Sequence, residues 1–370
     1  MSRAFASTAG RWGRMLENTA MAAQRFPAKR LRGLVTEALI AVGLPEDDAT
    51  STAELMILAD LRGADGHGVF RLPQYIRRIR AGGINVRPKI RVVSAAPATA
   101  VLDGDNGMGH VVMRRAAELA IQRAREFGIG WVGTRASNHA GPAALYAMMP
   151  AAQDMIGLYF AVANANHMAP WGGSELLLGT NPIAAAIPAD TEPPVVLDMA
   201  TTVVSYGTVK LAALSTDPLP EGWMIDAKDG TPITDPLRSV EGLLLPIGGY
   251  KGYGLALIFG LLAGTLNGAT FGRGVIDFNH DQKTPTNTGQ TIAAIDIARF
   301  QPIEEFKRSI DILIRDIKSS RKLAGVREIR IPGEQGHQRW IERSRDGIPL
   351  RPVVLAKLRE LARELGIEPL

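Results

Sequence analysis

The sequence has no cysteine among its 370 residues. This absence excludes disulfide bonds, thiolate metal sites, iron–sulfur clusters and a cysteine nucleophile. It is the composition expected in a reducing compartment, so we expect a cytoplasmic protein. Apolar residues make up 46% of the chain and charged residues 21%, which is close to the average for globular proteins. A chain of this length predicts two or three domains that can bury a core without covalent cross-links.

Long hydrophobic runs are also absent. The most apolar stretch, residues 255–266, is interrupted by Gly260, Gly264 and Thr265, and it falls short of the roughly 20 residues that span a bilayer. No apolar run like that of a signal peptide precedes Arg25. We therefore expect no membrane partner.

Positive charge is concentrated near the N-terminus and is not in excess elsewhere. The formal net charge is +5, but residues 1–33 alone hold seven basic residues and one acidic residue. The rest of the chain is therefore close to neutral, and no nucleic-acid partner is predicted. Residues 1–25 are predicted to be a basic, disordered extension, with an organelle-targeting peptide as the alternative.

Apolar periodicity separates the rest of the chain into a helical part and a strand-rich part. Helical spacing predicts helices, and short apolar runs bounded by Gly, Pro and Asn predict strands in the middle. The predicted helices cover about residues 31–42, 46–61, 72–80, 110–127, 141–149, 252–267, 302–319 and 353–365, and the predicted strands cover 129–134, 155–163, 183–188, 194–198 and 290–297. The fold class is therefore α/β (α+β), with residues 26–90 and 300–370 forming one discontinuous helical domain and residues 91–299 a second domain.

Two glycine-rich segments are candidates for binding a dinucleotide. Gly128, Gly130 and Gly133 match G-x-G-x-x-G, but a helix precedes them and they lie within a predicted strand. A helix C-cap followed by a strand is the better interpretation, and an ordinary Rossmann fold is not expected. The segment 248–254 leads into a helix, where glycine N–H groups, the helix dipole and Lys251 suit a phosphate. A plain helix entry with a solvated lysine is the alternative.

Histidines are the candidate proton-transfer groups. None of the six lies in a His-Glu-x-x-His pattern or in a compact ligand cluster, so no metal is predicted. His67 lies in a loop between two helices, and an imidazole near its reference pKa can transfer protons at neutral pH. Arg71 follows four residues later, and a guanidinium beside a histidine suits a substrate carboxylate. His139 and His167 follow predicted strands, where open sheets bind ligands. Each of these histidines could equally be a turn residue.

Two polar residues next to predicted strands are further candidates. Thr180 lies in a turn before strand 183–188, and Asp198 ends strand 194–198 before a Thr-rich turn. A carboxylate at the C-terminal end of a strand is a common ligand site, and it is also a common N-cap. The residues alone leave both interpretations open.

Several short motifs follow one another along the chain. They are residues 60–73 (Asp-Leu-Arg-Gly-Ala-Asp-Gly-His-Gly-Val-Phe-Arg-Leu-Pro), Ser137-Asn138-His139, Pro170-Trp171-Gly172-Gly173, Gly179-Thr180-Asn181-Pro182, Leu197-Asp198-Met199-Ala200-Thr201, Gly248-Gly249-Tyr250-Lys251-Gly252-Tyr253-Gly254, Pro332-Gly333-Glu334 and Gly347-Ile348-Pro349-Leu350. Each motif is weak by itself, but the ordered set over about residues 26–370 is specific. It resembles the malate/L-lactate dehydrogenase family, which includes sulfolactate, ureidoglycolate, diketogulonate and piperideine-2-carboxylate enzymes and is unrelated to the Rossmann dehydrogenases.

The resemblance implies NAD- or NADP-dependent interconversion of a small 2-oxo acid and its 2-hydroxy acid. It also implies a non-Rossmann cofactor domain with a mixed sheet, a helical domain from both termini, and a homodimer. By position, His67 would be the general acid/base, although some relatives use the histidine that matches His139. Arg71, Thr180 and Tyr206 would lie at the substrate. The cofactor would contact His139, Ala140, Gly141, Pro142, Ala143, Asp198, Met199, Ala200, Lys251, Gly252, Pro332, Gly333 and Glu334.

Three substitutions set this chain apart on the substrate side. Gly66 stands where the family usually has a serine, Tyr206 stands where an arginine is expected, and Thr208 replaces a charged residue. The cofactor motifs are largely intact. The leading prediction is therefore a dehydrogenase whose substrate preference lies away from plain malate or lactate. The alternatives are a cyclic imino acid reductase acting on piperideine- or pyrroline-2-carboxylate, and a catalytically weak relative that binds NAD(P).

Overall fold

The computed structural model describes residues 23–215 and 217–370. The helices are α1 (Ala28–Ala41), α2 (Glu46–Leu61), α3 (Leu72–Arg80), α4 (Gly109–Phe127), α5 (Ala144–Ala151), α6 (Tyr206–Ser215), α7 (Tyr250–Ala263), α8 (Ile303–Ser319), α9 (Glu334–Asp346) and α10 (Pro352–Leu365). The strands are β1 (Gln24–Phe26), β2 (Arg91–Ala95), β3 (Thr99–Gly107), β4 (Ile129–Ser137), β5 (Met155–Ala161), β6 (Ile183–Ile187), β7 (Val195–Met199), β8 (Met224–Asp226), β9 (Gly242–Leu244), β10 (Gln290–Asp296) and β11 (Ile348–Leu350).

A seven-stranded mixed sheet forms the centre of the fold, in the order β2-β3-β4-β10-β5-β6-β7. Strands β3 and β4 are parallel, and the other neighbouring pairs in this sheet are antiparallel. Helices α4 and α5 pack on one face through an alanine-rich cluster, and α7 packs on the other through Phe259 and Ala263. The helices lie close to the sheet: a Cβ on Gly130 would come within 2.0 Å of the Ala120 carbonyl oxygen. The structure thus confirms the α/β class and the mixed sheet.

A second hydrophobic core joins the two ends of the chain. Helices α1, α2 and α3 pack with α10, and Leu31, Met56, Leu72 and Leu358 are fully buried among them. Strand β1 pairs with β11 in an antiparallel ribbon, in which Phe26 lies opposite the residue that begins β11. The segments on either side of the sheet-forming part therefore share one core.

Helix α8 is fixed to a loop of the sheet by one buried carboxylate. Asp311 accepts the N–H groups of Asp190 and Thr191 at 3.0 Å and that of Glu192 at 3.3 Å, in the loop after β6. This contact joins a helix beyond residue 300 to the strand-rich part. The domain boundaries proposed at residues 90 and 300 stay a prediction.

The predicted end of the basic extension, at residue 25, is wrong by two residues. Gln24 and Arg25 belong to β1, and the Arg25 guanidinium donates a hydrogen bond to the Gly347 carbonyl at 2.9 Å. A three-residue strand has too little apolar alternation to be found in a sequence, and its pairing partner lies 322 residues away. The predicted disorder of residues 1–22 lies outside the described residues.

The helices and strands predicted from the sequence are confirmed, with ends shifted by a few residues. Gly128 ends α4 in the left-handed conformation, with a φ of 86°, so the first glycine-rich motif is a helix C-cap followed by a strand. The missed elements include strand β3 of the central sheet and the shorter strands β1, β8, β9 and β11, and also β2 and the helices α6 and α9. Of these, β2 is exposed throughout and α9 has no buried residue. Neither segment carries the apolar pattern on which such predictions depend.

Candidate active site

A cleft of about 940 Å³ opens beside the β7 edge of the sheet. Its walls come from several separated stretches of chain, which include the loop after α2, the start of α5, the end of β7, part of α6, and the start of α9 with the segment before it. Three residues singled out in the sequence, His67, Thr180 and Asp198, line this one cleft. The fold therefore brings together side chains that the sequence places far apart.

The loop that carries His67 is fixed by Asp60 at the end of α2. The Asp60 carboxylate is buried and accepts the N–H of Val69 at 2.8 Å. A Cβ on Gly68 would lie 1.9 Å from this carboxylate, so glycine is required directly after His67. Arg343 of α9 donates to the Asp60 carbonyl oxygen, which ties the loop to the opposite wall of the cleft.

His67 stacks on His139 with parallel imidazole rings. The ring centroids lie 5.6 Å apart and the ring planes differ by 9°. The Arg71 guanidinium is held beside His67 by hydrogen bonds to the Gly66 carbonyl at 2.9 Å and to the Gln74 side chain at 2.8 Å. Burial and the positive charge of Arg71 lower the pKa of His67 to about 3. His67 is therefore neutral at pH 7 and able to accept a proton.

His139 is oriented by Tyr75 of α3. The Tyr75 hydroxyl lies 2.6 Å from Nδ1 of His139, and the N–H of Gly141 points at the same nitrogen from 3.4 Å. Because a backbone N–H can only donate, Nδ1 offers a lone pair and the neutral ring carries its proton on Nε2. Phe278 also stacks on this ring, with centroids 5.6 Å apart. Burial, and after it the charge of Arg71, holds the pKa of His139 well below its usual range.

Helix α6 brings a further group of side chains against Arg71. Tyr206, its first residue, stacks on His167 with ring centroids 3.9 Å apart. Lys210, one turn later, has its ammonium 5.3 Å from the Tyr206 ring centroid and donates to the Asn279 side chain at 2.7 Å. Sequence reasoning missed Lys210 because it did not predict α6. The four-residue spacing from Tyr206 was the signal, since it places both side chains on one helix face.

Most of the residues that the resemblance assigns to the cofactor line the cleft. Those that line it are Gly141, Pro142, Ala143, Asp198, Met199, Ala200, Pro332 and Gly333. Ala140 precedes the first of them, and its carbonyl accepts the Tyr146 hydroxyl at 2.6 Å. The Asp198 carboxylate accepts the N–H of Ala144, the first residue of α5, at 2.9 Å. Asp198 opens onto the cleft, but burial of its carboxylate against the cleft wall raises its pKa to about 6.

The other five assigned residues, His139, Ala140, Lys251, Gly252 and Glu334, do not line this cleft. Glu334 accepts the N–H of Ile331 at 3.0 Å and so closes the turn that begins α9. Lys251 is exposed at the start of α7. A Cβ on Gly252 would lie 2.4 Å from the Ile247 carbonyl oxygen, so packing by itself accounts for this glycine. A role for these residues in cofactor binding stays a prediction.

A model of the malate/L-lactate dehydrogenase family matches residues 26–359. The chain belongs to this family. It is 42% identical to malate dehydrogenase of Pyrococcus horikoshii over 356 residues, which cover 94% of this chain and 97% of the relative. A solved structure of malate dehydrogenase from the same organism superimposes on this dehydrogenase with a TM-score of 0.86, at 40% identity, and covers 94% of this chain and 97% of that chain.

Two further relatives of this dehydrogenase carry a cofactor in their names. Ureidoglycolate dehydrogenase (NAD(+)) of Escherichia coli O157:H7 is 32% identical, and the alignment covers 88% of this chain and 92% of the relative. (2R)-3-sulfolactate dehydrogenase (NADP(+)) of Chromohalobacter salexigens is 33% identical, and the alignment covers 89% of this chain and 95% of the relative.

The cleft of this dehydrogenase fits a dinucleotide. A volume of about 940 Å³ is at the upper end of the range for small-molecule and cofactor sites. Arg62, Arg330 and Arg339 line its walls, and α9 begins there, directly after Gly333 in the left-handed conformation with a φ of 88°. Cationic side chains and a helix N-terminus are groups that bind phosphate. The residues present therefore fit NAD or NADP.

Residues 23–215 and 217–370 were also searched for metal sites and for membrane-spanning helices. No group of three His, Asp or Glu side chains in this part of the chain is arranged to hold a metal ion. None of its helices combines the length and the apolar composition needed to cross a membrane.

Proposed function

We propose that this dehydrogenase interconverts a small 2-oxo acid and its 2-hydroxy acid with NAD or NADP. The observation that carries the proposal is a neutral His67 imidazole at the wall of the cleft, with the buried Arg71 guanidinium beside it. The guanidinium suits the carboxylate of a 2-oxo acid, and the imidazole suits the oxygen that alternates between hydroxyl and carbonyl. The names of the relatives, which are malate, ureidoglycolate and sulfolactate dehydrogenases, support a substrate with a CH–OH group.

Binding and proton transfer are the tasks of the chain's own residues. The nicotinamide cofactor, when bound, supplies or accepts the hydride. During oxidation, neutral His67 accepts the proton of the substrate hydroxyl, and during reduction the same ring returns it. A substrate carboxylate at Arg71 counters the charge that depresses the pKa of His67. Substrate binding therefore helps His67 to hold the proton that reduction requires.

His139 is the second candidate for the acid/base role. Its ring is stacked on His67, and its proton lies on Nε2 because Nδ1 faces Tyr75 and Gly141. An imidazole with a fixed tautomer is suited to transferring one particular proton. The geometry supports either histidine, and substitution of each separately decides between them.

Consumption of reduced nicotinamide tests the proposed reaction. The purified protein is assayed with NADH and with NADPH against pyruvate, oxaloacetate, sulfopyruvate, diketogulonate and piperideine-2-carboxylate, and we expect turnover with at least one 2-oxo acid. Turnover of piperideine-2-carboxylate alone would favour an imino acid reductase. Cofactor binding without any turnover would favour a catalytically weak relative.

Replacing His67 should remove most of the activity without removing the cofactor. We expect His67→Asn to lower kcat by roughly 100-fold or more, because proton transfer by a positioned side chain contributes factors of that size. Cofactor binding, measured by quenching of protein fluorescence, should persist. His139→Asn is the matched variant in the stacked ring. Near-complete loss of activity in His139→Asn, with most of the activity kept in His67→Asn, would assign the acid/base role to His139.

We further propose that the protein is a homodimer in the cytoplasm. The family resemblance supports the dimer, and so does the row of apolar side chains that α7 leaves exposed, which includes Leu255, Ile258 and Leu261. Exposed apolar surface of this kind is typical of protein–protein contacts. The cytoplasmic location rests on the absence of cysteine.

A further inference from the structure

Lys210 lies beside the histidine pair, yet the reaction proposed above gives it no role. Its ammonium donates to the Asn279 side chain at 2.7 Å and lies over the Tyr206 ring. Asn279 follows Phe278, whose ring stacks on His139. Lys210 is therefore fixed by the same loop that contacts His139.

The first turn of α6 also contacts Arg71. A Cβ on Gly207 would lie 3.5 Å from Nη2 of Arg71, and Thr208 in the same turn lines the cleft. Lys210 thus places a second positive charge near the guanidinium that we assign to the substrate carboxylate. Burial, and then the charge of Arg71, lowers the pKa of Lys210 to about 8. Two partly buried like charges are unfavourable together unless an anion lies near them.

We propose that Lys210 binds a second anionic group of the substrate. The enzyme would then select 2-oxo and 2-hydroxy acids that carry a carboxylate or a sulfonate at the end away from the reacting carbon. This inference rests on the proposed function. The family resemblance leads us to expect an arginine at position 206, and here the Tyr206 ring instead supports an ammonium from the next turn of the helix. The chain therefore keeps two cations, Arg71 and Lys210, close together beside the first turns of α6.

Comparing substrates with and without a second anion tests this role. Oxidation of malate (a second carboxylate), sulfolactate (a sulfonate) and lactate (no second anion) is measured for Lys210→Met. We expect the KM for malate, for sulfolactate or for both to rise about tenfold or more, because a charge-assisted hydrogen bond is lost. The KM and kcat for lactate should change by less than about threefold, which also shows that the variant is folded. Lys283→Met removes an exposed lysine from the neighbouring loop and should change none of these constants.

The pH dependence of KM separates a charge effect from a merely structural one. The titratable and charged groups around Lys210 are Arg71, Arg77, Asp277, His139, His167 and Tyr206. The arginines lower the pKa of Lys210 and Asp277 raises it, with a result of about 8. Above that pH the lysine loses its charge, so the KM for malate should rise about tenfold per pH unit while that for lactate does not. Lys210→Arg stays charged and should abolish this rise.

The outcomes that overturn the proposal are distinct from failure of the proposed function. Equal changes in KM for malate, sulfolactate and lactate in Lys210→Met would show that the lysine acts only on the structure, and unchanged constants would show that it has no role. If the wild-type protein oxidises no hydroxy acid, the proposed function fails. In that case, calorimetric titration measures the affinities of the cofactor-bound wild type and of cofactor-bound Lys210→Met for malate and for sulfolactate. Equal affinities of the two proteins would overturn the role of Lys210.

Discussion

Two neutral imidazoles define the site at the scale of single residues. The pKa values of His67 and His139 are lowered by the same two causes, first burial and then the positive charge of Arg71. A neutral imidazole with a low pKa is a base and a poor proton donor. The ligand-free enzyme is therefore prepared for oxidation, whereas reduction requires a proton to arrive with the substrate.

The pH dependence of kcat/KM should consequently differ between the two directions. This constant reports the free enzyme, in which the pKa of His67 is about 3. For reduction, the protonated fraction falls tenfold with each pH unit above this pKa, so log kcat/KM should fall with a slope of about −1 between roughly pH 5 and 7.5. For oxidation it should stay flat over the same range. Initial rates at low substrate concentration measure both, and a plateau for reduction up to pH 6.5 would contradict the depressed pKa.

At the scale of elements, the loop after α2 has a glycine on each side of His67, and their surroundings differ. A Cβ on Gly66 would meet only the Leu211 side chain, at an ordinary contact distance of 3.9 Å. A Cβ on Gly68 would meet all three atoms of the Asp60 carboxylate within 2.2 Å. The serine that the family resemblance leads us to expect at position 66 would therefore fit here, whereas position 68 has no room for a side chain.

Substituting the two glycines should have very different effects on stability. In Gly68→Ala the Asp60 carboxylate must leave the N–H of Val69, and we expect the free energy of unfolding to fall by about 2 kcal/mol or more. In Gly66→Ala we expect a change within about 0.5 kcal/mol. Unfolding in urea, followed by circular dichroism, measures both variants. Equal stability of the two would show that the loop can repack around Asp60.

The strength of the local apolar pattern decided which elements could be predicted. Strands β4, β5 and β10 are apolar runs in the sequence, and most of their residues are buried in the sheet. Helix α6 contains Gly207, Thr208 and Val209, which have low helix propensity, so its helical state depends on packing such as the burial of Val209. Lys210 was missed for this reason.

The candidate site was predictable in its members and not in its geometry. The loop and strand-end positions of His67 and His139, together with the family resemblance, indicated both residues. Their stacking depends on how the loop after α2 packs against the end of β4. The hydrogen bond from Tyr75 to His139 likewise joins residues on separate elements. Such long-range contacts have no signature in a single sequence.

At the scale of the whole molecule, α7 is apolar on two sides. One side is buried against the sheet through Phe259 and Ala263. Leu255, Ile258 and Leu261 are exposed on the same helix. A helix that is apolar all round normally has a partner on each side. A second copy of the chain is the partner that we expect.

A charge on the exposed side of α7 should separate the dimer. Ile258 is 51% exposed, and we expect Ile258→Lys to reduce the mass from twice that of the chain to that of one chain, because an unpaired charge would be buried in the interface. Ile312 of α8 is 57% exposed, and Ile312→Lys should leave the dimer intact. Sedimentation equilibrium measures all three proteins. A monomeric wild type would contradict the dimer, and a dimer that survives Ile258→Lys would place the interface elsewhere.

The position of β10 affects the chain while it is still being synthesised. This strand lies between β4 and β5, yet it is the last strand of the sheet to be translated. Until then, β2-β3-β4 and β5-β6-β7 can form only two half-sheets, each with an open edge where the centre of the sheet will be. At roughly 5–20 residues per second, ribosomes need about 8 to 30 s to pass from the end of β4 to β10. Open strand edges attract other strands. The nascent chain is therefore most exposed to aggregation during this interval, when a chaperone would protect it most.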